Sequence, residues 1–261
     1  MKEFDEVNSV QEYLSIMQLL QQRSLAQIHR FGNVRPALLF RGQKADVPLV
    51  SSIGQVIEKN NISFPLTFER NRLRIARSVI GATSRYSDWD LIALCQHHGI
   101  ATRFLDWSSN SLVALWFAVS TRNYKVKRKP VVWVLETNDR DFSISEEERV
   151  PIPEKKGSET VIFTPDLIDS RIYAQDSYLM RQIYEKINPD FDKLRIRSVD
   201  ENPLFKDRLY RIPITENEVK REMILEELEK YGYTHDRLIP DSIWSVVKEC
   251  CDNLIKDYVS E

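Results

Sequence analysis

Residues 111–120, SLVALWFAVS, place apolar side chains on nearly every face of the helix they would form. A helix of that kind in a water-borne chain is buried all round, so other elements must pack on several of its sides. Immediately before it lies ATRFLDW (101–107), with the density of a strand and the wrong polarity for one. Period-2 alternation puts Thr102, Phe104 and Asp106 on one face and Arg103, Leu105 and Trp107 on the other, and neither face is clean. A buried charge without a partner costs at least several kcal/mol, so Arg103 and Asp106 either close salt bridges or line a polar cavity. Both readings stand at this point. Asp106, Trp107 and Ser108 also precede the positive end of the buried helix, which Ser108, Ser109 or Asn110 can cap. Backbone N–H groups and hydroxyls there can accept an anionic or amide-bearing ligand.

The rest of the chain alternates the two periods. Val10, Leu14, Met17, Leu20, Leu25 and Ile28 recur at helical spacing after a cap at Asn8 or Ser9, until Phe31-Gly32 ends the run. ALLFRGQ (37–43) reads as a buried strand ending at Arg41-Gly42, where glycine permits a turn or a close backbone approach. Residues 44–65 read as loop with short pieces of structure. LTFERNRLRIARSVIG reads as a helix with Leu66, Leu73, Ala76 and Ile80 inward and Arg70, Arg74 and Arg77 on the opposite side. WDLIALCQHHG follows, with Ser87 and Asp90 as a capping box, Leu91, Leu94, Cys95 and His98 on one face, and Gly99 at C′.

Beyond the apolar helix, a basic loop (Lys125, Lys127, Arg128, Lys129) leads to the strand PVVWVLET, and 138–160 reads as an exposed excursion. TVIFTP and RLYRIPI (208–214) read as strands. DLIDSRIYAQDSYLM mixes a helical turn with a strand at Ser177–Met180. Two helices close the chain: ENEVKREMILEELEKYG, with Val219, Ile224, Leu228 and Tyr231 inward, and DSIWSVVKECCDNLIKDYV. Strands interspersed with helices, without strict βαβ order, predict an α+β domain with a small mixed sheet, whole or split, flanked by helices. The division expected is an N-terminal helical segment, 1–33, and one domain, 34–261.

Composition narrows the function. The 37 Lys and Arg against 39 Asp and Glu give a net charge of −2, so no global basic field draws the chain onto nucleic acid or anionic lipid. Cys95 and the adjacent Cys250 and Cys251 form neither a paired framework nor a metal-like spacing with histidine. With no signal-peptide blocks in MKEFDEVNSVQEYL and no apolar run of membrane-spanning length, a cytoplasmic protein without membrane association is expected.

Candidate chemistry gathers at few places. Arg41, ending a buried strand before glycine, can offer its forked guanidinium to a phosphate or carboxylate, or serve a structural ion pair. His97 and His98 in a last helical turn suit carbonyl capping, and two histidines without a third ligand make a poor metal site; no metal is expected. Gln175 can donate and accept toward a ribose hydroxyl or an amide but is a poor general base. GxSxG, P-loop, GxGxxG and HExxH patterns are absent from the sequence.

In order along the chain, LLFRGQ, LIALCQHHGIATRFLDWSSNSLVALWFAVS, SRIYAQDSYLM and ILEELEKYGYTHDRLIPDSIWSVV resemble the motifs of the FRG-domain family, named for its Phe-Arg-Gly triplet, over roughly 38–248. Gln96, His97, Gly99, Thr102, Arg103, Leu105, Asp106 and Trp107 match its central block; Asp176-Ser177-Tyr178 departs from the glycine and phenylalanine more usual there. The same order is similar, more distantly, to ADP-ribosyltransferases. That likeness implies an ADP-ribosyltransferase-like fold and NAD as substrate. It also implies transfer of ADP-ribose to a macromolecule, nucleic acid or protein, or NAD hydrolysis, as in a toxin or anti-phage effector with an antitoxin or sensor partner. By resemblance Arg41, with Gly42 and Gln43, would clamp the pyrophosphate. His97, Thr102, Arg103, Trp107 and Ser108 would help hold the cofactor, and Asp106 to Ser108 would support the nicotinamide ribose. Gln175 would stand at the catalytic acid's place, with Asp106 or Asp176 supplying the negative charge. The alternative is a non-enzymatic module binding nucleic acid or protein through Arg70, Arg74, Arg77 and the 125–129 loop.

Overall fold

The computed structural model describes residues 2–28, 35–80, 88–97, 99–120, 129–142, 160–164, 170–188 and 191–239. In chain order the elements are β1 (Lys2–Glu3), α1 (Val10–Ile28), β2 (Leu38–Gln43), α2 (Ser52–Asn60), α3 (Pro65–Ile80), α4 (Asp88–His97), β3 (Phe104–Ser108), α5 (Ser111–Val119) and β4 (Val131–Glu136). They continue with β5 (Val161–Phe163), α6 (Ser170–Ala174), β6 (Ser177–Arg181), β7 (Tyr184–Asn188), β8 (Phe191–Ile196), β9 (Leu209–Pro213), α7 (Glu218–Lys230) and α8 (His235–Leu238). The architecture is α+β, as the interspersed pattern predicts. Its main sheet is larger than expected: seven strands in the order β1-β9-β4-β2-β3-β6-β5, all pairs antiparallel except β1 with β9, while β7 and β8 form a separate ribbon.

Alternation sorts the sheet residues onto two faces. Leu38 and Phe40 of β2, Val132 and Val134 of β4, and Tyr210 and Ile212 of β9 face a helical layer built from α1, α5 and α7. Leu39, Leu105, Trp107, Val131, Trp133, Leu135, Met180 and Leu209 point the other way, where Leu49, Phe142, Val199 and Phe205 from loops and short turns cover them. The apolar helix α5 lies on β2, as its all-round hydrophobicity requires. Gly42 makes that approach feasible: a Cβ there would stand 1.8 Å from the Ala114 carbonyl oxygen and 2.8 Å from the Ala118 nitrogen. Among the described residues, no helix is long and apolar enough to cross a membrane.

Several expectations are corrected. Residues 52–60, read as loop, form α2, with Ile53 and Ile57 buried one turn apart. On α3 the buried side chains are Phe68, Glu69, Arg72 and Ala76, and Leu66 and Leu73 are only half-buried, because the helix packs a buried ion pair as well as apolar groups; Arg70, Arg74 and Arg77 are exposed as expected. On α7, Val219 and Tyr231 are exposed and Ile224, Leu225 and Leu228 face the core. The N-terminal segment does not stand apart: β1 extends the sheet, and Val10, Tyr13, Met17 and Leu20 of α1 are buried in the same core as α5 and α7. The stop at Phe31-Gly32, the Gly81 helix end, the Ser87 cap, His98, residues 125–128, most of the 138–160 excursion and the last helix lie outside the described residues.

Candidate functional site

β2 and β3 are neighbours, yet they share one register pair, Phe40 with Ser108. Beyond it, where Arg41 and Gly42 would meet Trp107 and Asp106, the strands part. The Arg41 guanidinium fills the gap: its Nη1 donates to the Asp106 backbone oxygen at 2.6 Å and stands 3.9 Å from Asp106 Oδ2. Burial pulls Arg41 below the usual guanidinium range, against the attraction of Asp106. A hollow of about 220 Å³ opens at this parting, floored by Arg41, Gly42, Asp106 and Trp107 and walled on one side by Val113, Ala114 and Phe117 of α5. Gln96 of α4, Arg171 of α6, Gln175 and Ile239 complete the rim.

Asp106 is held from behind. The Phe104 N–H donates to Thr102 Oγ1 at 3.1 Å, so the Thr102 hydroxyl proton is directed to Gln96 Oε1. That bond orients the Gln96 amide, whose Nε2 donates to Asp106 Oδ2 at 2.9 Å. A backbone N–H, whose polarity cannot invert, thus sets the direction of the chain, and the carboxylate receives it as an acceptor. Asp106 Oδ1, Arg41 Nε and Trp107 Nε1 are buried with no hydrogen-bond partner among the described residues. Each such atom ordinarily costs about 1–3 kcal/mol, and these three lie on residues flooring one hollow. Asp106 is the one carboxylate among the described residues lining the hollow.

The structure divides the remaining sequence candidates. Arg103 turns away from the hollow: its Nε lies 2.8 Å from Glu69 Oε2, both side chains are almost wholly buried, and its guanidinium stacks over the Tyr184 ring. Burial pushes the Glu69 carboxyl up, and Arg103 pulls it back down. Of the two readings of ATRFLDW, Arg103 takes the buried salt bridge, whereas Asp106 both pairs with Arg41 and lines the hollow. Gln43 is also elsewhere, its Oε1 accepting from Trp133 Nε1 at 2.7 Å. Thr102 stands behind the hollow, as the first link to Gln96. The His97 side chain lies outside the described residues.

Ser108 lines the hollow, but its hydroxyl is committed, donating to the Gln175 carbonyl at 2.7 Å and accepting from the Asn110 N–H at 2.9 Å. Asn110 is the α5 cap, its Oδ1 accepting from Leu112 and Val113, so those helix N–H groups are not offered to a ligand. Gln175 also lines the hollow, with its Nε2 donating to the Leu238 carbonyl at 2.6 Å; this amide anchors α8. Asp176, with a left-handed φ of 47°, accepts from Asn110 Nδ2 at 3.2 Å and does not line the hollow. Two polar lining residues had not been singled out as site residues. Gln96 stood in the central motif block; Arg171 had one signal, its i,i+4 spacing from Gln175.

Residues 36–127 match the FRG domain. The match supports the FRG resemblance over the stretch that carries Arg41, Gln96, Asp106 and Trp107, and it stops short of Arg171 and Gln175. No curated protein and no solved structure matches the chain. Among the described residues, no group of three or more His, Cys, Asp or Glu is placed to hold a metal ion.

Proposed function

We propose that the hollow binds the nicotinamide-ribose half of NAD and cleaves its glycosidic bond, passing ADP-ribose to a macromolecular acceptor or to water, in the manner of a toxin or anti-phage effector. The observation that carries this reading is the Arg41–Asp106 pair at the parting of β2 and β3, with an unpartnered atom on each residue. As the C1′–N bond breaks, its electron pair leaves with nicotinamide and neutralises the pyridinium. The positive charge that develops on the ribose needs an anion fixed in advance, and Asp106 supplies one whose far oxygen is already held by Gln96. The acceptor oxygen or nitrogen then bonds to C1′ and releases its proton, which Asp106 can receive. Gln175 cannot carry that charge, so the role implied for it by resemblance passes to Asp106. At about 220 Å³ the hollow is smaller than the roughly 300–1,000 Å³ of sites that enclose drug-sized ligands. It therefore suits half of a dinucleotide, with the remainder at the mouth.

The test is NAD loss and label transfer from labelled NAD in the presence of cell extract, comparing wild type with Asp106→Asn and Arg41→Ala. Turnover by the wild type that falls at least 100-fold in Asp106→Asn supports the reading. A wild type that neither consumes NAD nor transfers label removes it. The second reading, a binding module, draws on the exposed Arg70, Arg74 and Arg77 of α3; it predicts nucleic-acid affinity that weakens steeply with salt.

A further inference from the structure

A second hollow, of about 340 Å³, opens between α2 and β8 and shares no residue with the one at Asp106. Its floor is apolar: Ile57 of α2, Ile62 just beyond that helix and Ile196 of β8 are each at most 7% exposed. At Gly54 the two walls meet, since a Cβ there would stand 2.6 Å from Val50 Cγ1 and 3.2 Å from Ile196 Cβ. The rim carries charges of both signs. Arg195 and Arg197 share one carboxylate: Glu185 Oε1 accepts from the two Nε atoms at 3.0 and 3.1 Å, and Glu185 Oε2 lies 2.8 Å from Arg197 Nη2. Both oxygens of Glu185 are thereby taken, and the outer nitrogens of the exposed Arg195 have no partner among the described residues. Glu58 of α2 and Glu201, in the turn after β8, are exposed on the same rim and form no ion pair among the described residues.

A ligand with only a negative charge would meet Glu58 and Glu201, and one with only a positive charge would meet the two arginines. Opposite charges that do not cancel one another, set above an apolar floor, complement a molecule with one charge of each sign and an apolar body. We infer that this hollow is a second binding site and that it takes a free apolar α-amino acid. The side chain lies against Ile57, Ile62 and Ile196, the carboxylate on the Arg195 guanidinium, and the ammonium at Glu58 and Glu201. A planar fork suits the two carboxylate oxygens, and about 340 Å³ stands at the small end of the roughly 300–1,000 Å³ usual for ligand sites. Neither residues nor ligand are shared with the glycosidic reading, which can fail without touching this one. The two hollows are nonetheless neighbours through α2: the Ile53 N–H donates to the Thr102 carbonyl at 3.1 Å, and the Thr102 N–H donates to Ser52 Oγ at 3.2 Å. The helix that walls the second hollow thus also holds the residue that orients Gln96.

The experiment is NMR titration of the full chain with three probes: L-leucine, isocaproate, which is leucine without its ammonium, and isoamylamine, which is leucine without its carboxylate. Leucine is expected to shift the methyl resonances of Ile57, Ile62 and Ile196 and to leave those of Val113 and Ile239, at the Asp106 hollow, unmoved. Each of the other two probes should bind about tenfold more weakly, for the charge-assisted contact it lacks. Matched variants then place each charge. Arg195→Gln weakens leucine and isocaproate but not isoamylamine, whereas Glu58→Gln combined with Glu201→Gln weakens leucine and isoamylamine but not isocaproate. Leucine that moves none of the three isoleucine methyls overturns the inference. So does isocaproate or isoamylamine binding as tightly as leucine, or a leucine affinity that is unchanged in both variants. The substituted side chains are exposed, and should a variant nevertheless not fold, the three probes on the wild type decide alone.

Discussion

The carboxylate of the hollow, Asp106, is oriented through a residue that does not line it. Thr102 is buried, and its hydroxyl both relieves the Phe104 N–H and orients Gln96 toward Asp106. Thr102→Val keeps the shape and removes the hydroxyl, leaving a buried backbone N–H and the Gln96 carbonyl oxygen without partners. The expected cost is about 1–3 kcal/mol, read as a lower urea midpoint at unchanged slope, with Thr102→Ser close to wild type. Equal midpoints for the valine and serine variants would refute the relay. Arg41 and Asp106 were legible in the sequence because a charge in a buried strand demands an explanation wherever it occurs. Arg103 posed the same question with the opposite answer, since its partner Glu69 lies 34 positions away on a helix whose inward face read as apolar. Sequence shows that a buried charge needs company, and only the fold shows whether that company is another side chain or a cavity.

Element by element, the strongest periodic signals became structure and the weaker ones were hidden for physical reasons. α5 is buried as its composition requires, and β2, β4 and β9 stand where apolar runs placed them. α2 escaped notice because it is short and carries Gly54 in its first turn, where a side chain would strike Val50 at 2.6 Å. The β7–β8 ribbon has no apolar run to announce it; YEKIN and FDKLRI intersperse charged with apolar residues, and Tyr184 and Ile196 are among its side chains packed inward. Among the described glycines, the closest backbone approach is at Gly42. Gly42→Ala forces α5 away from β2, because the obstacle is backbone and cannot rotate aside. The expected loss is about 3 kcal/mol or more, at the top of the usual overpacking range. It appears as a fall in melting temperature of roughly 5 °C or more, accompanied by loss of ligand binding, since α5 is a wall of the hollow. An alanine variant with wild-type melting would mean that the contact is looser than the geometry states.

At the scale of the molecule, the hollow depends on parts of the chain that carry none of its residues. The FRG match, 36–127, contains β2 and β3 but ends before β4, which pairs with β2 along six positions. It also omits β9, α7 and the whole N-terminal segment. Residues 2–28 belong to the same core: β1 and the backbone of Phe4 bond to β9, Tyr13 donates to the Ser111 carbonyl at 2.9 Å, and Val10, Tyr13, Met17 and Leu20 are each at most 2% exposed. Burying four such side chains contributes about 6–12 kcal/mol, comparable with the roughly 5–15 kcal/mol by which a whole domain is stable. A chain lacking residues 2–28 is therefore expected not to fold cooperatively. Circular dichroism should show no sharp thermal transition for it, and calorimetry no binding of the proposed ligand NAD, although every residue lining the hollow is still present. A separate N-terminal module would behave differently, since its removal would leave both the transition and the binding intact. Tyr13→Phe tests the same coupling more gently: it keeps the ring and gives up the bond to Ser111 at the start of α5. Its expected cost is about 1–3 kcal/mol for the carbonyl left without that donor, and a null effect in the urea midpoint would show that α1 is bound to the core by its apolar face alone.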